Sequence, residues 1–349
     1  MHKAFPRILH VSTAVPPHRY AQLEIYERFL EPHLGRNRRA RAIFGRAGIK
    51  QRFTAVEGEY HRVLRGTEER NLRYMQAAVP LGAEAIGGLL ASSGLSARAI
   101  DQFTVASCTG YDIPGLDLHL AGRLGMKPDL VRTCILGMGC YAAFPALRRA
   151  RDAVMAEPSQ RALTLCLELC SLHFQPRDDT ENVIVSALFG DGAAAALVGF
   201  DPDSRAPQIL DMLTHCQYDT FEHMAFHMTD HGFQMELSSY VPQLLGAAVE
   251  GFVDRLLDRN HLQRRDVRFW GVHPGGLKIM EHIERRLELE RDDLRFARAV
   301  LRNYGNMSSP TVLFVLDEIQ RNGNPQPGDH AVLMAFGPGL TMESALLRW

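Results

Sequence analysis

Apolar runs and amphipathic stretches alternate along the first half of the chain. The segments 7–13 and 102–108 predict strands, and the run at 161–169 is nearly continuous in apolar residues, which is typical of a strand in a sheet covered on both faces. Between these runs, apolar residues recur at helical spacing, most extensively over 67–95. Strands that alternate with helices in this way predict an α/β fold class.

The second half of the chain repeats this order. The predicted elements are strands at 208–215, 229–237, 267–272, 330–336 and 341–349, and helices at 241–257 and 291–304. A polar, proline-bearing segment at 201–207 separates the halves and predicts a boundary there. The sequence therefore predicts two α/β halves with stacked sheets, one at 1–205 and one at 206–349.

The stretch from Val131 to Val154 places a cysteine at a strand-to-helix elbow. An apolar run at 131–136 predicts a buried strand, and the Gly-Met-Gly turn after it leads through Cys140 into an amphipathic helix. Free N–H groups and the dipole at a helix N-terminus favour the thiolate form of a cysteine. Cys140 is therefore a candidate nucleophile, and the alternative is a buried structural cysteine, which is the commoner case.

A histidine and an asparagine occupy comparable positions in the second half. His273 directly follows the predicted strand at 267–272, and the Pro-Gly-Gly after it would hold the imidazole beside open backbone. Asn306 lies in Gly-Asn-Met-Ser-Ser-Pro before a predicted helix. Each is ambiguous alone, because a single histidine is more often a surface or core residue, and an asparagine at a helix start is often a cap.

Composition and charge narrow the class of protein. The chain of 349 residues is 46% hydrophobic and 23% charged, and its net charge of −1 gives no field that would attract nucleic acid or a membrane. No apolar run reaches the roughly 20 residues of a membrane span, and the N-terminal segment lacks the long apolar core of a signal peptide. The six cysteines show no CxxC spacing, which argues against a zinc site or a disulfide framework and predicts a reducing cytoplasm.

A local basic run stands out in this neutral chain. Arginines are frequent over 36–41, and Arg46, Lys50 and Arg52 follow soon after. Such a run is usually a solvated face. The functional alternative is a rim that binds a phosphorylated ligand, because guanidinium groups bind phosphate bidentately.

Five motifs together resemble a known family. In chain order they are GMGC (137–140), LFGDGAAA (188–195), FWGVHPGG (269–276), NYGNMSSP (303–310) and AFGPGLTMESALLRW (335–349). In this order and spacing the chain resembles, over nearly its whole length, the type III polyketide synthases, the chalcone synthase-like branch of the thiolase superfamily. The resemblance implies a thiolase-like fold of two pseudo-symmetric α/β halves, with layers in the order α/β/α/β/α.

The resemblance assigns a Cys-His-Asn triad to Cys140, His273 and Asn306, the positions that match the motifs. A protonated His273 would stabilise the Cys140 thiolate, which attacks an acyl-CoA thioester and becomes acylated. A malonyl thioester then loses CO₂, and His273 and Asn306 would neutralise the resulting enolate. The enolate attacks the acyl group on Cys140. CoA thioesters are the substrates, and no metal, flavin or nicotinamide is expected.

The resemblance also indicates which residues bind CoA. Arg39, Arg46 and Lys50 would contact its phosphates near the tunnel mouth. The resemblance therefore favours the interpretation of the basic run as a rim that binds a phosphorylated ligand.

Further positions resemble the wall of a substrate tunnel. They are Phe189, Met235, Ile113, Cys108, Cys170, His173 and Ser308. For Cys108, Cys170 and His173, ordinary packing is the alternative. Met235 stands where plant members carry a second phenylalanine, and Ile113 where they carry a methionine that reaches into the neighbouring subunit. Flexible or aliphatic wall residues favour an aliphatic acyl chain.

The leading hypothesis is an iterative enzyme that extends an acyl-CoA with malonyl-CoA. It would cyclise the product to an alkylpyrone, an alkylresorcinol or a phloroglucinol-like ring. One alternative is a single-round ketoacyl synthase of the initiating type that uses acyl carrier protein, and another is a non-catalytic thiolase-fold partner subunit. A homodimer is expected, because thiolase-fold enzymes are two-fold dimers, with no nucleic acid and no integral membrane association.

Overall fold

The computed structural model describes residues 5–238 and 240–349. Within them the strands are β1 (Arg7–Ala14), β2 (His18–Ala21), β3 (Gln51–Thr54), β4 (Gln102–Ala106), β5 (Val131–Ile135), β6 (Ala162–Leu169), β7 (Asp191–Gly199), β8 (Gln208–Cys216), β9 (Met224–Thr229), β10 (Gly232–Leu237), β11 (Val267–Val272), β12 (His330–Gly337) and β13 (Thr341–Arg348). Residues 1–4 lie outside the described part. They begin the N-terminal segment for which the sequence predicts no signal peptide.

The helices of the same residues follow the predicted pattern. They are α1 (Gln22–Ile25), α2 (Glu31–Leu34), α3 (Arg38–Arg46), α4 (Thr67–Ser93), α5 (Leu116–Leu124), α6 (Ala143–Ala156), α7 (Thr180–Leu188), α8 (Val241–Asp258), α9 (Leu277–Leu287), α10 (Arg295–Tyr304) and α11 (Thr311–Asn322). A π-helical turn (Tyr26–Leu30) joins α1 to α2.

Nine of the strands form one large mixed sheet in the order β11-β12-β13-β8-β1-β7-β6-β4-β5. Its N-terminal part (β1, β7, β6, β4, β5) and its C-terminal part (β11, β12, β13, β8) meet where Arg7 of β1 pairs with Gln208 of β8. The strands of the two predicted halves therefore belong to one sheet that is continuous through this narrow link, and the division into halves at 1–205 and 206–349 stays a prediction.

The helices form layers on and between these two parts. α6 contacts β4, β6 and β7 and also β13, while α11 contacts β1 and β7 and also β11 and β12. α4 packs on β1, β6 and β7, and α8 packs on β8 and β13. Helices α6 and α11 thus touch both parts of the sheet, which confirms the predicted α/β/α/β/α arrangement.

Small and aliphatic residues build the centre of the fold. The sequence of β6 is ALTLCLEL and that of β7 is DGAAAALVG, and every residue of both strands is buried. Continuous burial is expected for strands that helices cover on both faces. The core sits around these strands and holds the ends of β6 and β7 in fixed positions.

Strand β5 differs from its prediction. The run at 131–136 reads as a buried strand, but β5 is the outermost strand, pairs only with β4 and has mostly exposed or half-buried residues. An edge strand can be apolar without being buried in a single chain, because nothing within that chain covers its free side. The predicted boundary at 201–207 lies between β7 and β8 and stays a prediction.

Candidate active site

Cys140 lies at the predicted elbow between a strand and a helix. After β5, a turn leads into a short 3₁₀ helix (Gly139–Tyr141) that contains Cys140 and continues into α6. Gly137 and Gly139 have positive φ angles of 70° and 64°, which side chains other than glycine rarely adopt. The two glycines therefore permit the turn that brings Cys140 to the helix start.

Burial dominates the protonation of the Cys140 thiol. It raises the pKa of Cys140 to about 11, and hydrogen bonds from the side chains of Ser308 and Asn306 oppose this rise only in part. The nearby carboxylate of Glu168 also raises the pKa. The lowered pKa predicted from the helix N-terminus is therefore wrong for the thiol by itself, because desolvation of a buried anion outweighs the local dipole.

His273 lies at the end of a buried strand, as predicted. Its backbone N–H, directly after β11, donates to the carbonyl of Met334 in β12 at 2.8 Å. The imidazole is buried, and neither ring nitrogen has a hydrogen-bond partner within the described residues. Burial lowers the pKa of His273 to about 3. The free protein thus holds a neutral imidazole with both nitrogens available.

Asn306 joins the cysteine and histidine turns. Its side chain hydrogen bonds with the Cys140 thiol, and its Nδ2 donates to the carbonyl of Gly275, two residues after His273, at 3.5 Å. Its Oδ1 accepts from the backbone N–H of Ser308 at 2.8 Å, and Ser308 has a positive φ of 59°. Asn306 is therefore linked to the Cys140 thiol and to the backbone of the turn that follows His273, whereas the His273 imidazole makes no hydrogen bond within the described residues.

A cavity of about 450 Å³ opens onto Cys140. Its wall includes six of the seven predicted tunnel residues, namely Cys108, Cys170, His173, Phe189, Met235 and Ser308. Ile113, the seventh, is 78% exposed and does not belong to the wall formed by the described residues of this chain. An isoleucine that reaches into a second copy would be exposed in this way, so that role stays a prediction.

His173 fixes one side of this wall. Its Nε2 lies 2.7 Å from the carbonyl of Thr109, and its Nδ1 accepts from the backbone N–H of Phe233 at 3.1 Å. This geometry assigns the proton to Nε2, because a carbonyl can only accept. Burial lowers the pKa of His173 to about 4, so the ring is neutral.

Sequence reasoning missed the aromatic part of the wall. Phe226 and Phe233 both line the cavity, and Phe233 stacks on His173 with ring centroids 4.6 Å apart. The predicted single strand at 229–237 is in fact a hairpin of β9 and β10, and Phe233 and Met235 lie on the same face of β10. The spacing of two between Phe233 and Met235 was the signal in the sequence, because residues two apart in a strand share a face.

Sequence reasoning also missed Glu168. It is fully buried in β6 and accepts hydrogen bonds from the Cys108 N–H at 3.0 Å, from Thr109 Oγ1 at 2.8 Å and from Ser309 Oγ at 2.8 Å. Burial raises its pKa above the ordinary value. The one charged residue within the largely apolar strand segment 162–169 was the available signal.

The basic run divides into an exposed part and a buried residue. Arg39, Arg46 and Lys50 are exposed. Arg39 donates to Thr180 Oγ1 at the start of α7 at 2.6 Å, and three residues of α7 line the cavity (Asn182, Val185 and Ser186). Arg52, by contrast, is fully buried and belongs to no solvated face.

Two further properties concern the described residues as a group. None of their helices is long and apolar enough to cross a membrane. In the same part of the chain, no group of three or more His, Cys, Asp or Glu side chains is arranged to hold a metal ion.

Comparison with known families gives matches over both halves of the chain. The model described as chalcone and stilbene synthases, N-terminal domain, matches residues 3–202. The model for the C-terminal domain of the same family matches residues 213–349.

Individual relatives agree with these matches. A 1,3,6,8-tetrahydroxynaphthalene synthase of Streptomyces peucetius subsp. caesius is 34% identical over 97% of this chain and 92% of its own length. An alpha-pyrone synthesis polyketide synthase-like protein of Mycobacterium tuberculosis is 31% identical over 92% of this chain and 84% of its own. The crystal structure of PKS-I from the brown alga Ectocarpus siliculosus superposes with a TM-score of 0.93 at 29% identity, covering 100% of this chain and 99% of that one.

Proposed function

The chain belongs to the chalcone and stilbene synthase family of type III polyketide synthases, which are acyltransferases, and we propose that Cys140, His273 and Asn306 are its catalytic residues. The enzyme condenses malonyl-CoA iteratively onto a starter and cyclises the product. The observation that supports the proposed roles is the buried Cys140 thiol on the wall of a cavity of about 450 Å³. Asn306 links this thiol to the turn after His273, whose buried imidazole has no hydrogen-bond partner within the described residues. Matches to both halves do not favour the ketoacyl synthase or partner-subunit alternatives.

In the proposed loading step, Cys140 attacks the thioester carbonyl of the starter. Burial disfavours a lone thiolate and a lone imidazolium alike. A proton that passes from the Cys140 thiol to His273 creates both charges together, so that each offsets the cost of burying the other. The same proton then leaves with CoA as its free thiol, and the acyl group remains on Cys140.

In the proposed extension step, the bond between the malonyl carboxylate and its methylene carbon breaks. CO₂ departs, and the electron pair becomes an enolate. The Asn306 Nδ2 and the His273 imidazole are the donors that would stabilise the enolate oxygen. The enolate carbon then bonds to the acyl carbonyl carbon, and the Cys140 sulfur leaves.

We propose an aliphatic acyl-CoA as starter, with an alkylpyrone or alkylresorcinol as product and a phloroglucinol-like ring as the alternative. Flexible Met235 and the thiols of Cys108 and Cys170 support this choice, because such a wall adapts to a flexible apolar guest. Phe226 and Phe233 narrow the same cavity and favour a starter of limited length. Energy from decarboxylation drives each extension, so the proposed reaction requires no cofactor beyond its CoA substrates.

The exposed basic residues form the proposed CoA rim. Arg39 contacts the first residue of α7, and the next turns of that helix line the cavity. Arg46 and Lys50 are exposed, and neither makes an ion pair within the described residues. Exposed cationic groups without ion-pair partners are suited to bind the phosphates of a CoA thioester.

A homodimer in the cytoplasm is part of the proposal. Exposed apolar side chains lie on β5, directly after it, in the loop before α5 and in the first turn of α5, namely Val131, Leu136, Tyr111, Ile113 and Leu118. An apolar edge strand is suited to pair with a second copy about a two-fold axis. The six unpaired cysteines are compatible with a reducing compartment.

A product assay tests the function. Purified protein would receive malonyl-CoA alone and with acyl-CoA starters from acetyl to long-chain, and mass spectrometry would identify the products. Cyclised polyketides that disappear in Cys140→Ala but persist in Cys216→Ala would support the proposal, since Cys216 is not in the cavity wall. Cyclised products that persist in Cys140→Ala would refute the proposed role of the cysteine.

A further inference from the structure

Arg52 is the centre of a second buried polar cluster. Its guanidinium carbon lies 5.6 Å from the ring centroid of Phe44 and 5.8 Å from that of Phe174, so two aromatic faces enclose the charge. Its Nε donates to Gln22 Oε1 at 3.0 Å. Burial lowers the pKa of Arg52, and the charge of Asp191 opposes this effect.

Arg52 and Gln22 together hold the end of α7. Arg52 Nη1 donates to the carbonyl of Ser186 at 2.7 Å and also to the carbonyl of Phe189. Gln22 Nε2 donates to the carbonyl of Ala187 between them at 2.7 Å. Carbonyls at a helix C-terminus lack helical partners, and a cation is favourable there. The pair therefore fixes the backbone that leads from α7 into β7.

The same backbone holds Asn306. The Asn306 N–H donates to the carbonyl of Leu188, and the Gly190 N–H donates to the carbonyl of Asn306, each at 2.9 Å. Gly305, directly before Asn306, has a positive φ of 74°. A Cβ at this position would lie only 2.7 Å from Arg52 Cδ, which is closer than a side chain can approach. The alkyl stem of Arg52 thus packs directly against the turn that presents Asn306.

We propose that Arg52 is a positioning residue that sets the place of Asn306 relative to Cys140, through the segment 186–190 and through contact with Gly305. This inference rests on the proposed roles of Cys140 and Asn306. Cys140 is carried by a different element, the turn after β5, which none of these hydrogen bonds touches. Loss of the hydrogen bonds that the Arg52 guanidinium donates should therefore impair decarboxylation of malonyl-CoA more than acylation of Cys140.

Arg52→Lys tests the inference, because lysine keeps the charge but cannot bond two carbonyls and Gln22 at once. One measurement is the steady-state release of CO₂ from malonyl-CoA, and the other is single-turnover acylation of Cys140 by hexanoyl-CoA, followed by intact-protein mass. We expect kcat for decarboxylation to fall about 10- to 100-fold, as for a misplaced catalytic group, with KM and the acylation rate within about 3-fold. Arg148→Lys is the matched control, since Arg148 bonds Thr214 and Glu343 away from the cavity.

The outcomes separate positioning from general stability. If both steps fall equally in Arg52→Lys, or in proportion to the loss of melting temperature, Arg52 is only structural and the inference is overturned. If Arg52→Lys does not fold, Gln22→Leu replaces it, and a selective loss of decarboxylation is expected there too; an unselective loss or none overturns the inference. A wild-type enzyme that neither acylates Cys140 nor decarboxylates malonyl-CoA would refute the proposed function itself, and this inference with it.

Discussion

The proposed catalytic cluster of Cys140, His273 and Asn306 leaves hydrogen-bonding groups unused. Both nitrogens of His273 lack partners within the described residues, although the side chain is buried. A buried polar group without a partner is costly, so proteins keep few of them. In the proposed mechanism the missing partners are the proton that His273 takes from the Cys140 thiol and the oxygen of the substrate enolate.

In the supporting cluster of Arg52 and Asp191 most polar groups are paired, although Arg52 Nη2 is buried without a hydrogen-bond partner within the described residues. Asp191 accepts hydrogen bonds from the N–H of Ala55 at 2.6 Å, from the N–H of Ser171 at 2.7 Å and from Ser171 Oγ at 2.6 Å. Arg52 bonds one side chain and two carbonyls. The proposed chemistry thus falls to an imidazole whose two nitrogens are both open, whereas the largely paired side chains of the supporting cluster hold the backbone in place, as preorganised sites require.

Asn306→Ala should give the largest effect on the catalytic cluster. We expect decarboxylation of malonyl-CoA to slow about 10²- to 10³-fold, the usual cost of removing one oxyanion donor. The rate of CO₂ release would measure it, with Asn322→Ala on the outer end of α11 as control. Unchanged CO₂ release in Asn306→Ala would show that this amide does not stabilise the enolate.

Asp191→Asn should instead change stability and its pH dependence. Burial raises the pKa of Asp191 from 3.8 to about 6. The folded state therefore holds the proton more tightly, and the carboxyl's contribution to stability is full below pH 3.8 and is lost as pH rises through about 6. The loss would be on the order of 3 kcal/mol.

Urea unfolding at several pH values checks this prediction. The difference in the free energy of unfolding between wild type and Asp191→Asn should vary between pH 4 and 7, whereas Asp219→Asn, at an exposed aspartate, should show a constant difference. A flat difference for both variants would contradict the assignment.

His273→Gln should slow alkylation of Cys140 by iodoacetamide about 100-fold at pH 7, because the thiol loses its proton acceptor. The remaining rate should rise about tenfold per pH unit toward the thiol pKa of about 11 that burial imposes. The partly exposed His282 gives the control variant His282→Gln. Equal alkylation rates in His273→Gln and wild type would remove His273 from the loading step.

Substitution of the exposed rim should give the smallest effect. We expect the double variant Arg46→Ala, Lys50→Ala to raise KM for malonyl-CoA about 3- to 10-fold, less at high salt, with kcat unchanged, because solvent-exposed charges are screened. Steady-state kinetics at two ionic strengths would measure it, beside Arg205→Ala in the connection between β7 and β8. A KM that does not change would place the CoA phosphates elsewhere.

The sequence pattern predicted the layered fold and the catalytic cluster together. Alternating strands and helices have a strong local signal, and Cys140, His273 and Asn306 each follow or precede a predicted element. Phe233 was missed because a hairpin read as one strand, and the burial of Arg52 was missed because it was grouped with the basic run at 36–50, whose residues Arg39, Arg46 and Lys50 are exposed. Local patterns therefore located the ends of elements but not what surrounds each side chain.

The sequence by itself determined which elements form and which residues stand at their ends, because hydrophobic periodicity and glycine turns act over short distances. Only the tertiary structure decided the protonation of Cys140 and His273, the aromatic wall beside Met235, and the burial of Arg52 and Glu168. These properties depend on desolvation and on partners far apart in the chain. Burial, which no short segment encodes, sets the electrostatics of this site.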